Sequence, residues 1–444
     1  MSCKITLLVE ATTAFAHDLN FDAAFGPSTQ PFRINVDSKF IESTRQKILL
    51  SRYPTEFLDV PQFQDGPPVH NASTIADHWV NHFDWNTIQR DLNAKYRMFT
   101  TTIPPSPRTN YPHDIPLHFV HHRSTRADAT PLLFLHGWPG SFLEVGEIIE
   151  YLTSPPNSSL PAFHVVAPSN PGTGFSPAPI EHSATGPEVL AHAYASLMSQ
   201  LDYDKYVIQG GDSGAILLRM LASAYPDCVI AALANFWLTP PTAEDRKAIA
   251  EGTASSDEVL YVRNHDFYAH NASGYRLIHE TLPLQLAYAL TDSPIGWTMW
   301  IYTIMFGAVD TQFWTLDQII TWSMMYHIQG PYTGMRFYKL LLWDGIWEND
   351  AMTWGEPESM MNIKIPVGLS QFPKDVWYGL PLEFAQRAGN VVARYMHDRG
   401  GHFPSTEVPD LLLQDIWSFF GDKLDRLSNA STSVVDGGSR FYFK

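Results

Sequence analysis

The six residues GGDSGA at 210–215 set two nucleophile candidates side by side, Asp212 and Ser213. They follow an apolar run, KYVIQ, and lead straight into a second one, AILLRMLASAYP. A strand that ends in small-x-nucleophile-x-small and turns directly into a helix forms a strained elbow, which pushes one side chain clear of the backbone. Centred on Asp212, the positions two away are Gly210 and Gly214; centred on Ser213 they are Gly211 and Ala215. Two glycines permit the tight turn better than a glycine and an alanine, so the spacing favours Asp212. The plain structural alternative is an ordinary strand-to-helix turn in which Asp212 caps the helix.

A second segment, HGWPG at 136–140, closes the apolar run PLLFL. In enzymes with such an elbow, backbone N–H groups from this loop and from the residue after the nucleophile stabilise a developing oxyanion. The donors here would be the amides of Trp138 and Ser213, since Pro139 carries no N–H. Taken alone, HGWPG reads equally well as a proline turn. The third segment is RGGHFP, in which His402 follows the last strand-like run and precedes the last helix-like run, the place in chain order of a general base. His397 is its nearest competitor, and a metal pair of His397 and His402 is disfavoured because their spacing suits no helical ligand pair. A base of this kind needs a carboxylate to fix its tautomer. Asp375, just past the run IKIPVGLSQF, suits that role, with Glu383 as the fallback.

Positioning these groups requires a parallel sheet. From residue 115 onward, short β-rich runs (IPLHFVHHRS, TPLLFLHGW, FHVVAPSN, KYVIQGGD, VIAALANFW) alternate with helical ones, the signature of crossover connections. The alternation stops at 239 and resumes only at IKIPVGLSQF and VVARYMHD. We expect an α/β fold with a mostly parallel central sheet, its first half at 111–238, an inserted helical lid at 239–360, and its second half at 361–427. A helical N-terminal extension is expected over 31–110, a leader over 1–30, and a tail over 428–444. The last helix, PDLLLQDIWSFFGDKLDRL, opens on a proline suited to the first helical position. The lid is rich in aromatic residues, among them Trp297, Trp300, Phe306, Phe313 and Trp314, which predicts an apolar pocket.

The chain of 444 residues is 45% hydrophobic, enough for a large core. Its 29 lysines and arginines against 46 aspartates and glutamates give a net charge of -17, which repels phosphate backbones and argues against a nucleic-acid partner. Two cysteines, Cys3 and Cys228, provide neither a disulfide framework nor a thiolate metal cluster. The N-terminus sketches a signal peptide interrupted by Glu10, and N-x-S/T triplets begin at Asn71, Asn157, Asn271 and Asn429. Secretory entry and a cytosolic location both stay open.

GGDSG, HGWPGSFLEV, FPKD, RGGHF and the N-terminal blocks PFRINVDSKFIESTRQKILLSRYP and HFDWNTIQRDLN together resemble the microsomal-type epoxide hydrolases of the α/β-hydrolase superfamily. The likeness runs in order from about residue 31 to 427. It implies Asp212 as nucleophile, His402 as base and Asp375 as its acid partner. It also implies two lid tyrosines that donate protons to the epoxide oxygen, matched by Tyr275 in SGYRLIHET and Tyr338 in MRFYKLL. The family usually has tryptophan directly after the nucleophile, where this chain has Ser213. That exchange is expected to open space beside the nucleophile.

The expected reaction is attack of Asp212 on a hydrophobic epoxide, then hydrolysis of the resulting ester to a vicinal diol, without a cofactor or a metal. The partners expected are that small epoxide and water; a homodimer and a weak membrane association are left open. Three alternatives stand beside it: an epoxide-opening cyclase that uses an internal substrate hydroxyl, a serine esterase built on Ser213, and a catalytically silent carrier with the same fold.

Overall fold

The computed structural model describes residues 19–310, 314–342, 362–421 and 435–436. Residues 1–18 of the expected leader, Phe313, residues 343–360 of the expected lid, and all but two residues of the expected tail lie outside the described residues. Residues 19–30 do not behave as part of a leader. Phe21 is buried in the core, packed edge-on against Phe32 and Phe175, and it pairs with Val36.

The strands are β1 (Gln30–Phe32), β2 (Met98–Ile103), β3 (Ile115–His122), β4 (Thr130–Leu135), β5 (Phe163–Pro168), β6 (Tyr206–Gly210), β7 (Val229–Ala234), β8 (Ile363–Gln371), β9 (Gly389–Met396) and β10 (Val435–Asp436). They form one sheet in the order β1-β2-β3-β5-β4-β6-β7-β8-β9-β10. Pairing is antiparallel from β1 to β5 and parallel from there to β10. The central strands read as continuous apolar runs because both of their faces are covered, so LLFL of β4 and VI of β6 are fully buried. The crossing of β4 between β5 and β6 leaves the C-terminal ends of β4 and β6 side by side, with β7 between them and β8, the usual place for a ligand in such a sheet.

Residues 31–110 hold three helices, α1 (Ser38–Leu49), α2 (Val69–Asn81) and α3 (Trp85–Lys95), but also β1 and β2. The expectation of a purely helical extension is corrected here. MFTTTI, with four of its six residues buried, runs between β1 and β3 in the sheet. The core then adds α4 (Ile149–Thr153), α5 (Pro187–Gln200) and α6 (Ser213–Ala224). Of these, α6 packs on β4, β6, β7 and β8.

Between β7 and β8 the lid runs through α7 (Ala243–Ala250), α8 (Ser256–Phe267), α9 (Gly274–Thr281), α10 (Pro283–Asp292), α11 (Pro294–Ala308), α12 (Leu316–His327) and α13 (Tyr332–Leu342). Thr242, Ser255 and Thr315 open α7, α8 and α12 with reciprocal capping boxes, and prolines start α10 and α11. A π-helical turn at Tyr268–Ala272 separates α8 from α9. The chain closes with α14 (Leu382–Gln386), α15 (Pro404–Glu407) and α16 (Pro409–Phe420), the last starting on Pro409 as expected. No helix among the described residues is long and apolar enough to cross a membrane.

The N-terminal extension braces the lid. Helices α1 and α2 pack on α11, and α2 also on α12. Asn20 donates to the Ile328 carbonyl at 2.7 Å, and the Asn71 amide reaches the Tyr302 hydroxyl at 3.1 Å. That contact turns Asn71, one of the four triplet asparagines, onto the lid.

Candidate active site

At the end of β6 the backbone of Asp212 adopts φ 49° and ψ -128°, a left-handed conformation that L-residues with side chains avoid. The strain falls on Asp212 and not on Ser213, which already lies in α6. The flanking glycines explain how the chain tolerates it. A Cβ on Gly214 would stand 2.1 Å from the Leu135 carbonyl oxygen, and one on Gly210 would stand 2.8 Å from the Gly214 carbonyl oxygen. Asp212 opens the helix but makes no side-chain cap hydrogen bond to it, so the capping alternative is not what holds it here.

The Asp212 carboxyl is met from two sides. The Trp138 amide, in the loop after β4, donates to Oδ1 at 2.9 Å, and the Ser213 amide also bonds the carboxyl. The Trp138–Pro139 peptide is cis. On the other side His402 Nε2 stands 3.5 Å from Oδ2, while His402 Nδ1 lies 2.8 Å from Asp375 Oδ1. Burial opposes ionisation of Asp212, yet the hydrogen bond and charge of His402 with the two amides outweigh it and hold the carboxyl below its usual range. For His402 burial likewise favours the neutral form. The charges and bonds of Asp375 and Asp212 overcome it and raise the imidazole well above its ordinary value.

The loop that carries His402 is pinned by neighbours far apart in sequence. Its amide donates to the Ala308 carbonyl at 2.9 Å, and its carbonyl accepts from Asn235 at 3.3 Å. Glu407 ties the same loop to the end of α11 by accepting from the amides of Phe403 at 2.7 Å and Asp310 at 2.6 Å. Phe403 and Phe236 stand edge-on to the imidazole.

Two lid helices complete the chamber above Asp212. Tyr275 of α9 stacks on the Trp138 indole at 5.5 Å, and Tyr338 of α13 meets the same indole edge-on at 5.5 Å. The two phenol rings are 5.9 Å apart. Burial, then the charge of a neighbouring phenol (Tyr268 for Tyr275, Tyr275 for Tyr338) and that of Asp212, push both phenols well above the usual tyrosine range, so both keep their protons. Trp138 Nε1, Ser213 Oγ and Tyr338 Oη are all buried without a hydrogen-bond partner, and such orphaned groups are rare away from sites that a ligand or water completes.

The structure therefore brings Asp212, Asp375, His402, Tyr275, Tyr338, Trp138 and Ser213 together, although they span 265 positions of chain only through the folding of sheet and lid. The alternatives fall elsewhere. His397 binds Asp415 at 2.7 Å and stacks on Phe372, so it does not converge with His402. Glu383 is exposed on α14. Ser213 Oγ meets no base that could take its proton, which removes the geometry a serine esterase needs. The space expected from the missing indole is also corrected. Beside Ser213 lies a cavity of about 20 Å³, roughly one water, because Tyr326 and Phe337 of the lid close over it. Of the lid aromatics, Trp297 is fully buried behind Trp138, and Trp314 packs on Trp322 and Phe403; Phe313 lies outside the described residues.

Sequence reasoning passed over several residues. Tyr268 and His279 line the lid side of the chamber, Tyr326 donates to the Gly140 carbonyl at 2.7 Å, and Glu144 folds back under the HGWPG loop. Burial pushes the Glu144 carboxyl up to about 8; the His402 charge and the Gly137 amide act against that, and Asp212 adds to it. The acid within the apolar run SFLEVGEII was the signal that could have exposed Glu144.

Comparison with known proteins agrees with this geometry. Residues 29–145 match the family described as epoxide hydrolase N terminus, and residues 130–328 match the α/β hydrolase fold. The chain is 30% identical to epoxide hydrolase 1 of Sus scrofa over 428 residues, covering 90% of each. The solved epoxide hydrolase of Aspergillus niger superposes with a TM-score of 0.74 at 25% identity, covering 94% of this chain and 100% of that one. The juvenile hormone epoxide hydrolase of Bombyx mori shares the fold, with a TM-score of 0.79 at 24% identity over 91% and 96% of the two chains. With an elbow centred on an aspartate, an imidazole beside it and this likeness along nearly its whole length, the chain belongs to the epoxide hydrolases of the α/β-hydrolase fold.

Proposed function

We propose that this hydrolase opens a hydrophobic epoxide to a vicinal diol in two steps on Asp212. The observation that carries the reading is the division of its carboxylate: Oδ1 sits on the Trp138 amide, and Oδ2 faces the chamber beside His402. In the first step Oδ2 attacks an epoxide carbon in line, the carbon–oxygen bond of the ring breaks, and the departing oxygen takes a proton from Tyr275 or Tyr338. A carboxylate held ionised needs no base for this step. A positioned proton donor contributes about 10²–10⁴-fold.

The product is a neutral ester, and its formation changes His402. Asp212 no longer contributes the negative charge and hydrogen bond that raised the imidazole, so only Asp375 opposes burial. The imidazole is thereby released to act as a base. It takes a proton from water, the water oxygen adds to the ester carbon, and the oxyanion forms on Oδ1, to which the Trp138 amide already donates, with the Ser213 amide also bonded to this carboxyl. Collapse expels the diol alkoxide, which takes the proton from His402, and the Asp212 carboxylic acid left behind returns its proton to the tyrosinate formed in the first step. The aromatic rings of Trp138, Phe236 and Phe403 around Asp212 and His402 favour a hydrophobic substrate.

The test is a single turnover of styrene oxide in ¹⁸O-water with enzyme in excess. The mechanism puts the label in the Asp212 carboxylate and leaves the diol unlabelled. Label in the diol with none in Asp212 would mean direct attack by water and would remove the ester from the pathway.

A further inference from the structure

The two phenols above Asp212 do not stand alone. Tyr268, on the π-helical turn before α9, has its hydroxyl 3.0 Å from that of Tyr275, and its own ring is held edge-on by Trp377 at 5.2 Å. One helical turn beyond Tyr275 on α9 lies His279, fully buried, with its ring 5.1 Å from Tyr338, 4.7 Å from Trp138 and 5.7 Å from Tyr275.

The tautomer of His279 follows from its partner. Trp300 donates its indole N–H to Nε2 at 3.0 Å, and an indole can only donate, so Nε2 is the acceptor and the proton sits on Nδ1. That Nδ1–H has no partner, and neither has the Tyr338 hydroxyl on the neighbouring ring. Burial holds the imidazole neutral down to about 3, which keeps Nδ1–H in place across the working range of an enzyme.

A phenol that hands its only proton to an opening epoxide gathers negative charge on its oxygen. A hydrogen bond donated into that oxygen stabilises the charge at the moment it forms. Behind Tyr275 stands the Tyr268 hydroxyl at 3.0 Å, where either oxygen can donate; beside Tyr338 stands the unpartnered Nδ1–H of His279, and Trp377 and Trp300 hold these two rings.

We propose that Tyr268 and His279 are positioning residues of the ring-opening step, the Tyr268 hydroxyl backing Tyr275 and the His279 Nδ1–H backing Tyr338, so that the acid of the lid is a set of four side chains. This rests on the roles given above to Tyr275 and Tyr338. No new bond to substrate is involved. The Tyr268 hydroxyl already stands at hydrogen-bond distance from Tyr275, whereas the His279 Nδ1–H, unpartnered at rest, bonds the Tyr338 oxygen only as charge gathers there; each backing group keeps its own proton.

Ring opening and ester hydrolysis separate in stopped flow, read through Trp138 fluorescence with styrene oxide. Tyr268→Phe and His279→Leu should each slow ring opening by about tenfold, the worth of one hydrogen bond, and leave ester hydrolysis unchanged. His279→Gln, which keeps an N–H donor, should restore opening to within about threefold of the parent, a rescue that a purely space-filling role would not give. In double mutants the effect of Tyr268→Phe should vanish on a Tyr275→Phe background, and that of His279→Leu on a Tyr338→Phe background. Additive effects on those backgrounds, crossed pairing, or equal slowing of both half-reactions would overturn the proposal. If Tyr275→Phe and Tyr338→Phe themselves left ring opening unchanged, the underlying assignment would fail instead. Should His279→Leu not fold, Tyr268→Phe and His279→Gln still decide it, because a Gln variant slowed tenfold or more and a Phe variant without effect would refute both halves.

Discussion

Adding a single methyl group at Gly137 tests the site geometry without touching a titratable group. A Cβ built there would lie 2.4 Å from Asp212 Cβ, 2.6 Å from its Oδ1 and 2.9 Å from its Cγ. Carbon atoms in contact prefer about 3.5–4.0 Å, so the elbow and the loop must separate by roughly 1 Å. That separation pulls the Trp138 amide off Oδ1 and turns the carboxylate away from its line of attack. A misplacement of about 1 Å near a reacting atom costs roughly 10²-fold, and the strain of overpacking costs about 1–3 kcal/mol of stability. Gly137→Ala should therefore lose about two orders of magnitude in ring opening while still folding with a modestly lowered melting temperature. Gly274→Ala is the matched control, since Gly274 adjoins Tyr275 but has nothing within 4 Å of an added Cβ. It should stay within about threefold of the parent, less than 1 kcal/mol of barrier. Stopped-flow fluorescence with styrene oxide measures both variants, and thermal melts confirm folding. A Gly137→Ala enzyme that opened the ring at a rate within threefold of the parent would refute the placement of that loop against Asp212.

Three further outcomes are expected. Replacing His402 by Gln should leave ring opening in place but slow ester hydrolysis by about 10²–10⁴-fold, so that mass spectrometry finds the substrate's mass added to the peptide containing Asp212. Ser213→Ala keeps the amide donor and removes only an unpartnered hydroxyl, so turnover should stay within about threefold, and a loss of all activity would restore Ser213 as nucleophile. Acid should destabilise the fold early. Burial lowers His118 and His279 to about 3 and His136 and His327 to about 4, below the unfolded value near 6.5. Below 6.5 the unfolded chain takes up protons that the folded chain refuses. Stability is thus present above pH 6.5 and is lost towards pH 4, at about 1.4 kcal/mol per pH unit for each histidine. Glu144 and Glu407, raised by burial to about 8 and about 7, and Asp415 and Glu280, also raised, have the opposite sign and lose stability as pH rises, but the buried histidines, which also include His121 and His122 at about 4, outnumber them. A melting temperature that stayed level from pH 7 to pH 4.5 would contradict those buried neutral histidines.

Much of this enzyme is local chemistry and so can be read along the chain. The glycines at 210 and 214 centre the elbow on Asp212 within a few residues of chain, although a Cβ on Gly210 would meet the turn itself and one on Gly214 the Leu135 carbonyl of β4. The continuous apolar runs of β4 and β6, the proline that starts α16 and the chain order of Asp375 and His402 are likewise properties of short segments. Other features are not local. MFTTTI becomes a strand only because β1 and β3 pair with it on either side, and Phe21 is core only because Phe175 and Phe32 come to meet it. The partners of Tyr268, His279 and Glu144 come from packing: a tyrosine, a histidine and a glutamate in helical segments look like ordinary surface or core until lid and loop close around them. The same holds for the space beside Ser213, which a missing indole would have left open had Tyr326 and Phe337 not filled it. Sequence spacing specifies backbone conformation within a turn of chain. Which side chains share a chamber is decided by sheet order and lid placement, which depend on contacts between residues hundreds of positions apart.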